Sequence, residues 1–137
     1  MIIKKVLALA LLMCCFSNLK AQYHNLLNLT EKQILEKLTD FPIVSRDSSE
    51  HEFVPYLTFK NKEDKVQLVV YFFGNRCHLI KHYTLPKSID SIVNKANVAF
   101  NNIGENRWRS KTNTFEVSIM ATPDQVITIY SRGISTY

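Results

Sequence analysis

Glycine, proline and cysteine are all scarce in this chain of 137 residues, at three, four and three copies, and each shortage excludes something. Three scattered glycines, Gly74, Gly104 and Gly133, leave no glycine-rich loop to cradle a phosphate. Four prolines are too few for a proline-rich recognition segment or a stiff linker. Cys14 and Cys15 fall close to the start, so beyond them Cys77 is alone and has no internal disulfide partner. No CxxC, HExxH, GxSxG or Ser-His-Asp order is present. The longest apolar run, "VLALALLMCCF" (6–16), is about half the roughly 20 residues that span a bilayer.

That run is flanked like an export signal. Lys4 and Lys5 precede it, and "NLKA" follows, with Leu19 and Ala21 at the −3 and −1 positions of a cleavage site. Residues 1–21 are therefore expected to be a signal peptide, leaving residues 22–137 as one domain in the periplasm or outside the cell, with no transmembrane segment. Lipid anchoring is disfavoured, because Met13 rather than a small residue precedes Cys14. The signal holds three lysines and no acid, which leaves 14 of the 17 basic residues against 12 acidic ones. So slight an excess gives no ground for nucleic-acid binding.

What the chain does have is aromatic and β-branched residues in short runs. "LTEKQILEKL" (29–38) carries Thr30 and Gln33 at capping-box spacing, with Leu29 and Ile34 placed as a hydrophobic staple. "SRDSSEHE" (45–52) reads as a polar loop. Strands are expected at 54–60, 66–73 and 77–83, and Gly74–Asn75 as a two-residue hairpin turn of the glycine-first kind. "SIDSIVNKANVAFNNIG" (88–104) reads as a second helix capped by Ser88 and closed by Gly104, with Ile89, Ile92, Val93, Ala96, Phe100 and Ile103 on its buried face. Asn94, Asn97, Asn101 and Asn102 fall on its wet side. Strands at 107–110, 114–120 and 126–130 complete the order αβββαβββ. That order predicts an α+β domain, an antiparallel sheet of about six strands with two helices packed on one face. It resembles the helix-then-meander units of β-lactamase-inhibitor-protein-like and small outer-membrane-assembly domains, in topology alone, and no functional residue is carried across.

The stretch "FFGNRCHLIKH" (72–82) holds the obvious chemistry-bearing groups. Pairing across a two-residue turn sets Val66, Leu68, Val70, Phe72, Cys77, Leu79, Lys81 and Tyr83 on one face of the hairpin. Gln67, Val69, Tyr71, Phe73, Arg76, His78, Ile80 and His82 take the other. Cys77 then points away from His78, and is expected to be buried and inert. His78 and His82 share a face but stand about 13 Å apart, too far to hold one zinc. "NRWRSK" (106–111) interleaves Arg107, Arg109 and Lys111 with Trp108, which reads as a core tryptophan on a charged strand. "DSSEHE" (47–52) lacks the ligand spacing and the glycine of a calcium loop.

In the last hairpin, placing Phe115, Val117, Ile119, Ile127 and Ile129 inside leaves Met120, Val126, Thr128 and Tyr130 on the far side. With Val69 and its neighbours, that makes an unusually apolar second face. The candidate binding residues are Tyr71, Phe73, Arg76, His78, Ile80, Met120 and Tyr130, with no catalytic or metal set and no cofactor. The expectation is a non-enzymatic exported module of the bacterial envelope that binds a protein or peptide on the open sheet face, unless "YHNLLNL" (23–29) or a second copy covers it. The alternative is a small hydrolase or ligand-binding protein with a pocket near residues 45–53, served by His51, His78 or His82.

Overall fold

The computed structural model describes residues 23–48 and 54–133. The architecture is α+β. A 3-10 turn at Tyr23–Leu26 leads into helix α1 (Glu31–Lys37) and strands β1 (Ile43–Ser48), β2 (Pro55–Lys60), β3 (Val66–Phe73) and β4 (Arg76–Thr84). Helix α2 (Ile89–Ala99) then leads into β5 (Asn101–Gly104), β6 (Arg107–Arg109), β7 (Glu116–Ala121) and β8 (Val126–Ser131). All pair antiparallel in one eight-stranded sheet of order β1-β2-β3-β4-β8-β7-β6-β5.

The order is a duplication that the sequence does not show. Each half is a helix followed by a four-stranded meander, and the halves join through their last strands. Antiparallel pairing of β4 with β8 places a local two-fold axis through the middle of the sheet. The expected units of three strands and total of about six are thus corrected to four and eight.

Both added strands are edges. β1 takes in residues 45–48 of what read as a polar loop; Ile43 and Val44, just before that stretch, start it, and all six of its residues are exposed. β5 comes from what read as helix. Phe100, at φ −130°, leaves the helical region, and Asn101 and Asn102 pair with Arg109 and Trp108. Ile103 is therefore no helix residue. Gly104 belongs to the ladder and closes no helix, and the turn that follows is made by Asn106 at φ +54°. Ser88 makes no capping bond, because a 3-10 turn at Pro86–Ser88 precedes the helix. The Thr30 capping box is present as expected: Gln33 N–H donates to Thr30 Oγ1 at 3.3 Å, and Thr30 N–H to Gln33 Oε1 at 2.9 Å.

Registers sort the strand residues into two faces. Arg46, Leu57, Val70, Ile80, Tyr130, Val117 and Trp108 form one cross-strand row, and Val44, Phe59, Leu68, His82, Thr128 and Ile119 the next. This is the core face. Ile34 of α1 is enclosed with its β2, β3 and β4 members, and Ala96 of α2 with Trp108, Val117, Ile119 and Val126. Tyr130 packs against both clusters. The N-terminal turn straddles them as well. Leu26 is buried in the first cluster, while the His24 ring stacks on Phe115 at 4.9 Å and meets Phe100 at 5.7 Å.

The β3–β4 hairpin differs from the simple pairing in two ways. Gly74 and Asn75 both have positive φ, +59° and +64°, which is a type I′ turn rather than the glycine-first type. Beyond Phe72–Cys77 the register slips, so that Tyr71 faces Leu79 and Val70 faces Ile80, with His78 the extra residue of a bulge. One extra residue sends everything after it to the opposite face. Ile80 and His82 turn to the core, and Leu79, Lys81 and Tyr83 turn away from it.

Candidate binding surface

The face opposite the core is built in three rows. The first runs Asp47, Tyr56, Tyr71, Leu79, Ser131, Glu116 and Arg109. The second runs Ser45, Thr58, Val69, Lys81, Ile129, Ser118 and Arg107. The third includes Tyr83, Ile127 and Met120. Central β-strands normally alternate apolar with polar when one face meets water. Here β3, β4 and β8 carry apolar or aromatic side chains outward as well as inward. Among the described residues, Tyr23, Leu26, Leu27 and Leu29 of the segment 23–29 pack on the core face.

Neighbouring side chains on this face lean on one another. The Tyr56 and Tyr71 rings are 5.4 Å apart, and the Lys81 ammonium sits over the Tyr71 ring at 5.3 Å. Val69, between Thr58 and Lys81, is only 7% exposed. Burial pushes the Tyr83 hydroxyl pKa up. At the β6–β7 end, Arg109 and Arg107 donate to Glu116 at 2.9 and 3.3 Å. The Arg109 hydrogen bond, more than any other influence, holds the Glu116 carboxyl below its ordinary pKa.

Of the expected binding residues, Tyr71, Phe73, His78 and Met120 belong to this face. Phe73 stands 74% exposed at the hairpin tip, with its ring 5.9 Å from His78, and Met120 is 53% exposed. Arg76 reaches back instead, donating to the Asn28 carbonyl at 3.0 Å. Ile80 and Tyr130 are corrections. Ile80 is fully buried in the core, carried there by the bulge at His78. Tyr130 is opposite Ile80 and Val117, and desolvation between the two clusters pushes its hydroxyl up to about 12. All of β8 turns with it, so Val126 and Thr128 lie inside while Ile127 and Ile129 lie on the second face, the reverse of the expected arrangement. The residues that replace the two are Lys81, Tyr83, Leu79, Tyr56, Ile127 and Ile129.

His78 and His82 now lie on opposite faces of the sheet, so they line no common cavity, and His51 lies outside the described residues. His82 sits between Leu68 and Thr128, its ring 4.6 Å from Tyr23, and burial pulls its pKa down to about 4. Thr128 Oγ1 beside it is buried without a hydrogen-bond partner among the described residues. Cys77 is fully buried, and desolvation raises its thiol to about 12. Its N–H donates to the Leu29 carbonyl at 2.7 Å, so the chain before α1 extends the ladder where β8 stops.

Near the 45–53 stretch there is a cavity of about 390 Å³, lined by Thr30, Glu31, Lys32, Arg46, Tyr56 and Phe72 among others. Arg46 and Glu31, both in its lining, are ion-paired, and no histidine lines it among the described residues. No group of three or more metal-ligating side chains occurs among the described residues, and none of their helices is long and apolar enough to cross a membrane. No family model, no curated protein and no solved structure matches the chain.

Proposed function

We propose that this chain is an exported, non-enzymatic module of the bacterial envelope that binds a protein or peptide through the second face of its sheet. Export rests on the lysine-flanked apolar run before Ala21. In this reading both helices cover the same face, because Ile34 and Ala96 pack against strand residues that the registers align. The observation that carries the reading is the belt formed by Tyr56, Tyr71, Leu79, Tyr83, Ile127, Ile129 and Met120 on the uncovered side. Contiguous apolar patches of this kind on a soluble domain usually mark a contact surface.

Replacing Tyr71 and Phe73 together by serine tests it. The expected result is loss of envelope-partner capture with an unchanged circular dichroism spectrum; unchanged capture would remove the proposal. The ligand-pocket alternative keeps its location, since a cavity lies beside β1, but it loses His78 and His82 as reactive groups. Its chemistry there would be that of Arg46, Glu31 and Lys32, which suits binding a small polar ligand better than hydrolysis.

A further inference from the structure

Charge decides what kind of surface the second face would meet. Its centre is Lys81, whose cross-strand neighbours are Val69 and Ile129, both apolar. Its ammonium lies over the Tyr71 ring at 5.3 Å, and its side chain is half-buried. Along the rows the acids of this face lie far from it. Glu116 already accepts from both Arg107 and Arg109, and Asp47 stands on the edge strand. Two arginines against one carboxylate leave that corner cationic as well.

Resting on the reading of this face as a binding surface, we infer that its occupant is an acidic segment of another protein, which lays a carboxylate on Lys81 and apolar side chains on the tyrosines and isoleucines around it. A lysine in an apolar, partly desolvated setting gains more from a carboxylate than an exposed one does, because water competes less. Anchors of this sort, central and ringed by apolar contacts, carry most of an interface's energy. A second copy of this chain is the wrong occupant. Two such faces packed together would bring two uncompensated cationic centres close in a water-poor layer. A flat anionic bilayer is also a poor match, since one half-buried lysine at the centre of an apolar face is not the cluster of exposed basic residues that holds a protein to anionic lipid.

The experiment measures binding of the purified protein to a fluorescein-labelled glutamate–tyrosine copolymer by anisotropy. A lysine–tyrosine copolymer and phosphatidylglycerol vesicles serve as rival probes. The protein is expected to take the acidic copolymer in preference to both, to remain a monomer by light scattering, and to lose at least tenfold in affinity with Lys81→Met. Lys95→Met, on α2, should change nothing. Equal binding by Lys81→Met, preference for vesicles, or a stable dimer through this face overturns the inference. If Tyr71→Ser with Phe73→Ser weakens binding while Lys81→Met does not, the carboxylate is wrong and the surface survives. If neither variant matters, both fall.

Discussion

Acid should act on this fold first through His82. Its imidazole is in the middle of the core face, between Leu68 and Thr128, with Tyr23 packed on it and Tyr130 in the next row. Burial favours the neutral ring and holds its pKa at about 4, against 6.5 for a free histidine. Well above pH 6.5 neither the folded nor the unfolded chain binds this proton, and stability is unaffected. Below 6.5 the unfolded chain takes it up first, so stability falls, and the loss levels off once the folded form also protonates near pH 4. At 1.36 kcal/mol per unit, the full cost is about 3 kcal/mol, most of it spent by pH 4.5. That is a large fraction of the roughly 5–15 kcal/mol that holds a small domain together.

The assay is urea unfolding followed by the fluorescence of Trp108, the single tryptophan, at pH 7, 5.5 and 4.5. The midpoint should drop steadily, and His82→Leu should remove most of that drop. A residual slope is expected from His24, which burial also pulls down. Glu116 adds to it only below its ordinary 4.5. A wild-type midpoint independent of pH between 7 and 4.5, or a full slope retained by His82→Leu, would refute the reasoning.

Three further outcomes follow from particular contacts. With its pKa near 12, Cys77 is about one ten-thousandth thiolate at pH 8, so iodoacetamide should label it only in urea, and labelling of the native protein would contradict its burial. Trp108 Nε1 donates to Asn97 Oδ1 at 2.9 Å, so Asn97→Ala should strand a buried donor and cost about 1–3 kcal/mol in the same urea assay, whereas Asn94→Ala should cost almost nothing. Thr30→Ala removes the acceptor for Gln33 N–H and should cost about 1 kcal/mol, with Thr30→Ser close to wild type.

The parts of the fold that could be read from residues are those fixed by local rules. The capping box at Thr30 forms because its two halves are three residues apart, Leu68 and Val70 are buried where alternation placed them, and Trp108 is buried as its charged flanks suggested. The shortage of glycine also had a visible remedy. Asn28, Asn75, Asn106 and Asn113 all take positive φ, the conformation asparagine tolerates best after glycine. What escaped reading depended on partners distant in sequence. The bulge at His78 occurs where Cys77 turns to bond with Asn28 and Leu29, a contact that no local pattern announces. In "VITIY" both sets of alternating residues are largely apolar, so the pattern could not choose a face. Pairing with β4 chose it, and put Thr128 beside His82 in the core. Those two displacements are why Ile80 and Tyr130 left the candidate surface and Lys81 entered it.

The claim at the centre of this account is that the second face of the sheet is a contact surface for another protein. Photo-crosslinking in intact cells puts this to the test, with benzoylphenylalanine placed at Met120 or Phe73 on that face and at the exposed Val98 on α2. One discrete adduct, larger than a dimer of the chain or otherwise distinct in mass, is expected from the two sheet positions and none from Val98. The same adducts from all three positions, or none from the sheet, would contradict it.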